Sequence, residues 1–412
     1  VQSLSYSRMR LGRECWRRHY YSYELGIEAI RDAAPLRMGS AVHLGCECWN
    51  KGAEPAEAKE VALTSYREVP AGMDAYRWRC EGEIVGAMLD GYFWRYEGER
   101  LEYLAVETSF ELPLINPKTN AKSRTFHLRG RIDGIVRMGA QMLVLERKTA
   151  SGDISPASDY WLRLRMDQQV SLYVYAARRV GWPCTGALYD VLRKPGSKPA
   201  RIPTRDSDGL KVVVDDQTGA RVMIGADQKP RQTAGKGMTL SPDLDEAGLK
   251  VVTDDATGER VMIGAGPKPR QSAGDGMTML TVAEEPEAYG ARLLADIGDR
   301  PDWYFARREV ARLDQDLEEF AVEAWEHAQV LRWRQRLGMW GRNVGMFTCN
   351  RCEFKNLCLN GLEVDPENPP SGFRKRLHVK GEENGEGTTN TKSQDDGAGD
   401  TDTRPTLAGR DV

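Results

Sequence analysis

The sequence predicts an α/β protein. Three observations carry this. Two adjacent strand-like runs, Leu128 to Val136 and Met142 to Lys148, are joined by a Met138-Gly139-Ala140 turn. Tracts of helical periodicity lie on both sides of them. The chain has 412 residues with 40% hydrophobic content, enough for a sizeable core and two or three domains.

In chain order, residues 1–50 are rich in arginine and aromatics, and Ser40 to Lys51 reads as a helix capped by Ser40. A second helix is expected over Ala75 to Tyr96, where Tyr76, Trp78, Ile84, Val85, Met88, Leu89, Tyr92 and Phe93 recur at helical spacing. A strand follows at Leu104 to Leu112, then the two-strand hairpin. A helix is expected from Asp159 to Val180 and a strand from Gly186 to Leu192, ended by Lys194-Pro195-Gly196. Next the chain repeats itself. Leu210-Lys211-Val212-Val213-Val214-Asp215-Asp216 returns 39 residues later as Leu249-Lys250-Val251-Val252-Thr253-Asp254-Asp255. Each copy reads as a strand, a Thr-Gly turn, a second strand and a Gly/Pro-rich arm. Two copies fall short of the three or more a solenoid needs, so the segment reads as a tandem duplication in an accessory insert. Helical periodicity is expected from Glu284 to Leu337, and a polar tail is expected to be disordered. The organisation is therefore 1–195, an insert at 196–282, a helical and cysteine-bearing part at 283–362, and the tail at 363–412.

A net charge of -3 does not advertise a nucleic-acid binder, although a local basic groove is enough for one. No apolar run is long enough to span a bilayer, and Val1-Gln2-Ser3-Leu4-Ser5 lacks a secretory apolar region. A cytoplasmic setting, in a bacterial or phage-infected cell, is expected. There the eight cysteines favour metal over disulfides.

The chemistry concentrates in Gly130-Arg131-Ile132-Asp133-Gly134 and Val144-Leu145-Glu146-Arg147-Lys148-Thr149. Strand side chains alternate faces, so Glu146 and Lys148 point one way and Arg147 the other. Two acids and a lysine on one face can hold a divalent metal beside a water or a phosphate. Taken alone, Glu-x-Lys is also an ordinary surface strand. His43, early in its helix after Gly39, reads either as a packed or exposed imidazole or as a ligand offering a neutral ring nitrogen. Gln169 and Tyr173, four apart, share a helix face. That face is either solvated or placed to hydrogen-bond a phosphate or the lysine. Cys349-x2-Cys352-x5-Cys358 gathers three thiols within ten residues, and Cys15 is the candidate fourth ligand for a tetrathiolate site. Zinc is the competing metal, though its four-thiolate sites come as paired knuckles. Cys46, Cys48, Cys80 and Cys184 show no ligand spacing and are assigned to packing.

Together, Ser5-Tyr6-Ser7 with Cys15, Gly39-x3-His43, Gly130-Arg131-Ile132-Asp133, Glu146-Arg147-Lys148, Gln169-x3-Tyr173 and the final cysteine triplet resemble the PD-(D/E)XK nuclease superfamily. The resemblance is to its RecB-like branch with an iron–sulfur cluster, as in the AddB nuclease domain and the CRISPR-adaptation exonucleases. It covers most of 1–193 and 283–360, and leaves out the duplicated insert and the tail. It implies a restriction-endonuclease-like core, a central mixed sheet flanked by helices. It also implies that Cys15, Cys349, Cys352 and Cys358 clamp a [4Fe–4S] cluster joining the two chain ends. His43, Asp133, Glu146 and the main-chain carbonyl of Arg147 would hold Mg²⁺ or Mn²⁺. Lys148 would orient water or stabilise the transition state, with Gln169 and Tyr173 positioning it. The expected activity is phosphodiester hydrolysis in DNA, by an exonuclease acting on single strands or ends in repair, recombination or phage DNA metabolism. A structure-specific endonuclease, a non-catalytic nucleic-acid-binding module and a zinc-stapled structural protein are the alternatives. No Gly-x4-Gly-Lys-Ser/Thr phosphate loop is present, so a helicase or recombination motor would be a separate partner protein.

Overall fold

A computed structural model describes residues 1–30, 34–99, 101–205 and 277–376, together with 212–217, 219, 221–223, 238–244, 250–258 and 260–262. The chain divides into two compact units. One runs from Val1 to Ser197 and resumes at Gly290; the other is Lys198–Tyr289.

The first unit is built on a six-stranded mixed sheet. Its elements are β1 (Gln2–Leu4), α1 (Tyr6–Glu14), α2 (Ala34–Asn50), α3 (Ala75–Tyr96), β2 (Glu102–Ile115), β3 (Lys122–Met138), β4 (Gln141–Ala150), α4 (Gln168–Arg179), β5 (Cys184–Arg193), β6 (Phe305–Ala311) and α5 (Asp314–Leu337). Strand β3 is the pivot. It pairs antiparallel with β2 along one edge. On its other edge β1 runs parallel to Phe126–Leu128, and β4 joins antiparallel from Gly134 onward. Strand β4 then pairs parallel with β5, and β5 antiparallel with β6. One face carries a core of Val144, Ala187, Tyr189 and Val191 packed against Leu172, Tyr173 and Ala176 of α4 and Phe320 and Ala324 of α5. The other face buries Val136, Leu143, Leu145 and Leu188. The alternation of β4 is thus obeyed residue by residue.

Several elements differ from the sequence expectation. Helix α2 begins at Ala34, so Ser40 lies inside it and is not its cap; Pro35 sits in its first turn, where a missing N–H is harmless. The helix expected over Asp159 to Val180 is two, Asp159–Leu164 and Gln168–Arg179. Asp167 starts the second by accepting the Gln169 N–H at 2.9 Å, the role of an N-cap. The helical tract from Glu284 is interrupted by β6, because Phe305 to Ala311 finds a full ladder on β5. Phe373–Lys375, inside the expected disordered tail, pairs with Ile27–Ala29, and the Phe373 ring stacks on Phe354 at 5.6 Å. Residues 377–412 of that tail lie outside the described residues.

In the second unit both copies of the duplication form hairpins, Val212–Asp215 with Arg221–Met223 and Lys250–Asp254 with Arg260–Met262. Gly219 (φ 69°) and Gly258 (φ 71°) take the left-handed conformation in the two turns, which is why each turn carries a glycine. The third strand of each sheet is exchanged. Met277–Met279, which follows the second copy, pairs with the first hairpin, and Met238–Leu244, which follows the first, pairs with the second. The Gly/Pro-rich arms of the repeat lie outside the described residues.

Candidate active site

The site forms where the sheet splits. The β1 ladder on β3 ends at Leu128 and the β4 ladder begins only at the Gly134–Leu145 pair. Asp133 stands in this gap. Ile132 and Ile135 both enter the core against α4. Residues three apart cannot share a face of a regular strand, so the alternation breaks across Asp133 and Gly134. Beyond Leu145, β4 leaves β3 and stays with β5. The Arg147 N–H freed by this divergence donates to Asp133 Oδ2 at 2.8 Å.

Glu146 and Lys148 face α4 together, as the period of two requires. Lys148 Nζ lies 2.5 Å from Glu146 Oε1 and donates to Gln169 Oε1 at 2.6 Å. Gln169 Nε2 donates in turn to the Tyr173 hydroxyl at 3.0 Å. One turn of helix thus holds the lysine from behind. Gly130 makes room for this: a Cβ there would stand 2.6 Å from the Phe110 ring and 3.2 Å from that of Tyr173. Glu146 is 2% exposed, and its Oε2 has no hydrogen-bond partner. A buried carboxylate oxygen without a donor is costly alone and favourable beside a cation.

The family model of the PD-(D/E)XK nuclease superfamily matches residues 3–359, which include all of these groups. The chain belongs to the PD-(D/E)XK nuclease superfamily. No curated protein matches its sequence. Among the described residues no helix is long and apolar enough to cross a membrane.

Burial pushes the carboxyl pKa of Glu146 up, Lys148 opposes the shift, and Asp133 adds to it. Burial also works against the charge of Lys148, but Glu146 outweighs it and holds the ammonium protonated. In this nuclease the carboxylate and the ammonium thus offset each other's burial.

His43 is half-buried on α2, on the helix face that continues to Cys46 and Glu47. That face looks toward the strand of Asp133: Glu47 is 3.6 Å from Arg131, and Asp133 acts on Cys46. Among the described residues no three His, Cys, Asp or Glu side chains form a ready metal-holding group. The residues joined directly are Glu146, Lys148, Gln169 and Tyr173, with Asp133 tied to the Arg147 main chain.

Three participants were not singled out in the sequence. Glu107, on β2 across from Asp133, has a φ of 51° and pairs with Arg131. Burial first, then Asp133, push its carboxyl up to about 7. Asp167 caps α4 and accepts the Tyr189 hydroxyl at 3.2 Å. Asp190, on the opposite face of the sheet, is fully buried between Arg147 at 3.3 Å and Arg307 at 3.2 Å, and accepts the Tyr92 hydroxyl. Arg147 is thus anchored by its side chain on one face while its neighbours serve the other. An acid inside the apolar run Ala187-Leu188-Tyr189-Asp190-Val191-Leu192 was the available signal.

The ends of the nuclease domain meet at the cysteines. Arg17 N donates to Gly341 O at 2.9 Å, Asn343 Nδ2 to Glu14 O at 2.8 Å, and Arg18 pairs with Glu353 at 2.8 Å. Cys15, Cys349, Cys352 and Cys358 line one cavity of about 240 Å³, and Arg17, Arg18 and Arg342 also border it. Cys15 Sγ accepts the Asn343 N–H at 3.4 Å. Burial raises the Cys352 thiol pKa, and Cys15 adds to the shift. Cys46, Cys80 and Cys184 are buried elsewhere.

Proposed function

We propose that this chain hydrolyses phosphodiester bonds in DNA with Asp133, Glu146 and Lys148 at the reacting centre, as an exonuclease acting on single strands or ends. The observation that carries the reading is the Glu146–Lys148–Gln169–Tyr173 chain of contacts beside Asp133 at the open end of a split ladder. Asp133, Glu146, the Arg147 carbonyl and His43 are a donor set of hard oxygens and one imidazole, suited to Mg²⁺ or Mn²⁺. The unpartnered Oε2 of Glu146 fits such an ion. Bound there, the ion would lower the pKa of a water and offset phosphate charge. Lys148 donates to the attacking water or to the phosphate oxygen where charge develops. Gln169 fixes the ammonium, and Tyr173 fixes Gln169 by occupying its amide nitrogen. Glu146 beside it favours the protonated lysine, which suits Lys148 to donating.

The RecB-like branch is supported by the four thiols on one cavity between the chain ends. Cys15, Cys349, Cys352 and Cys358 would hold a [4Fe–4S] cluster as thiolates, and Arg17, Arg18 and Arg342 would offset their charge. The cluster's role is structural: it fastens ends already joined by main-chain hydrogen bonds.

The test is digestion of end-labelled linear and closed circular single-stranded DNA with Mn²⁺, with and without chelator. Cleavage of the linear DNA alone, abolished by chelator and by Lys148→Ala, is expected. Cutting of the circle would make the enzyme an endonuclease. Full activity of Lys148→Ala would overturn the assignment.

A further inference from the structure

Beside the reacting centre lies an open groove of about 660 Å³, lined by Tyr6, Arg10, Arg13, Tyr160 and Arg163 among others. We infer that this groove is the track of one unpaired nucleic-acid strand, with the arginines on its phosphates and the tyrosines against a base. The inference rests on the nuclease reading and specifies its substrate.

Sequence and fold build the groove from two walls. Tyr6, Arg10 and Arg13 stand at i, i+4 and i+7 on α1, so they share one helix face. Tyr160 and Arg163 come from the short helix Asp159–Leu164 opposite. Arg10 and Arg163 are exposed, and the two tyrosines are half-buried. Glu14 and Asp167 also line the groove. Arg10 pairs with Glu14 at 3.6 Å and Arg13 with Glu323 at 3.9 Å, weak solvent-exposed ion pairs for which a phosphate can compete. The groove leads to the chemistry by covalent continuity: Gln168 lines it, and the next residue, Gln169, holds Lys148. The charges of Lys148 and Glu146 act on both Tyr6 and Tyr160.

The occupant follows from size and chemistry. The volume falls within the about 300–1,000 Å³ of small-ligand clefts, room for a nucleotide or two. Guanidiniums recognise phosphate by paired hydrogen bonds. An aromatic wall recognises the face of a base, which a duplex hides in its own stack and a single strand offers.

The experiment measures binding of fluorescent oligo-dT, oligo-U and a blunt duplex to the full chain in chelator, over a range of salt. Wild type is expected to bind the single strands and to bind the duplex at least tenfold more weakly. Arg10→Gln with Arg163→Gln should flatten the slope of log K against log salt by about 1.4, two phosphate contacts at about 0.7 each. Tyr160→Ala should weaken binding about tenfold and Tyr160→Phe should not, since stacking needs the ring and not the hydroxyl. Melting temperatures of the variants report that the fold is kept. A wild-type chain that cleaves DNA while the arginine pair leaves the slope unchanged would overturn the groove and spare the nuclease reading. Failure of the wild type both to bind and to cleave would overturn both.

Discussion

Replacing Lys148 separates its electrostatic role from its catalytic one. Its ammonium lies 2.5 Å from Glu146 Oε1, and the two side chains are 29% and 2% exposed. Removing one member of a buried pair leaves the other charge uncompensated, at about 3–5 kcal/mol. Solvent reaches Lys148, so the lower end, about 3 kcal/mol, is the expected loss for Lys148→Ala in chelator. The unit that holds the site spans about 320 residues, and at about 2.1 cal/mol/K of unfolding entropy per residue each kcal/mol moves the melting temperature by about 1.5 °C, so this lowers it by roughly 4–5 °C. Manganese then acts in the opposite direction. In the wild type an ion must share the Glu146 carboxylate with the ammonium; in the variant it does not. An ion at 100 times its dissociation constant adds about 2.7 kcal/mol, enough to return most of the loss. The assay is thermal melting of both proteins in chelator and across a Mn²⁺ titration, with Lys148→Met as a control that retains most of the side-chain stem. The variant should melt lower, gain more from Mn²⁺ than the wild type, and cleave nothing. A variant that melts like the wild type in chelator, or gains less from Mn²⁺, would refute the placement of Lys148 opposite a ligand carboxylate.

Three further outcomes are expected. Asp190→Asn leaves Arg147 and Arg307 facing each other without their shared counter-charge, and should lower stability by about 3–5 kcal/mol, read from urea midpoints. A second change, Arg307→Gln, should restore part of it. His19 and His327 are held neutral, first by burial and then by neighbouring arginines, with pKa values lowered to about 2 and about 3. The unfolded chain binds protons near pH 6.5 and the folded one does not, so their contribution is intact above pH 6.5 and is lost as the pH falls toward 3. At pH 5 the loss is about 2 kcal/mol for each histidine, and denaturant midpoints between pH 8 and 5 will show whether stability falls. Protein purified without oxygen should contain iron and acid-labile sulfide in equal amounts. Cys15→Ser should lose both along with thermal stability, whereas an iron-free wild type of full stability would remove the cluster.

What was legible in the sequence follows periodicity. The period of two placed Glu146 and Lys148 on one face and Arg147 on the other, and the structure has them so. The spacing of four brought Gln169 and Tyr173 into contact. Glu107 was hidden because its position depends on a left-handed residue in a strand, and no glycine marks it. Asp190 and Arg307 were hidden because 117 residues separate them and only the β5–β6 register joins them. Strand β6 was lost in a tract read as helix, because seven residues between two long helices leave little period of their own. The break at Asp167 was visible as a capping residue before Gln168-Gln169, but the apolar run on both sides outweighed it.

Asp133 shows why the split and the site belong together. A strand leaving its neighbour strands an N–H at the fork, and an orphaned buried donor costs about 1–3 kcal/mol. Here that donor belongs to Arg147, and Asp133 Oδ2 satisfies it. One oxygen of the carboxylate therefore holds the fork open. The same fork turns Glu146 and Lys148 toward α4, where Gln169 receives the lysine. On the far face Asp190 secures the Arg147 side chain, so the main chain of that residue is fixed from both sides. The acid that would bind a metal is thus also the group that lets the ladder end where it does. A fold that placed these strands in a continuous ladder would satisfy Arg147 without Asp133, and would leave no gap in which a phosphate could meet the lysine.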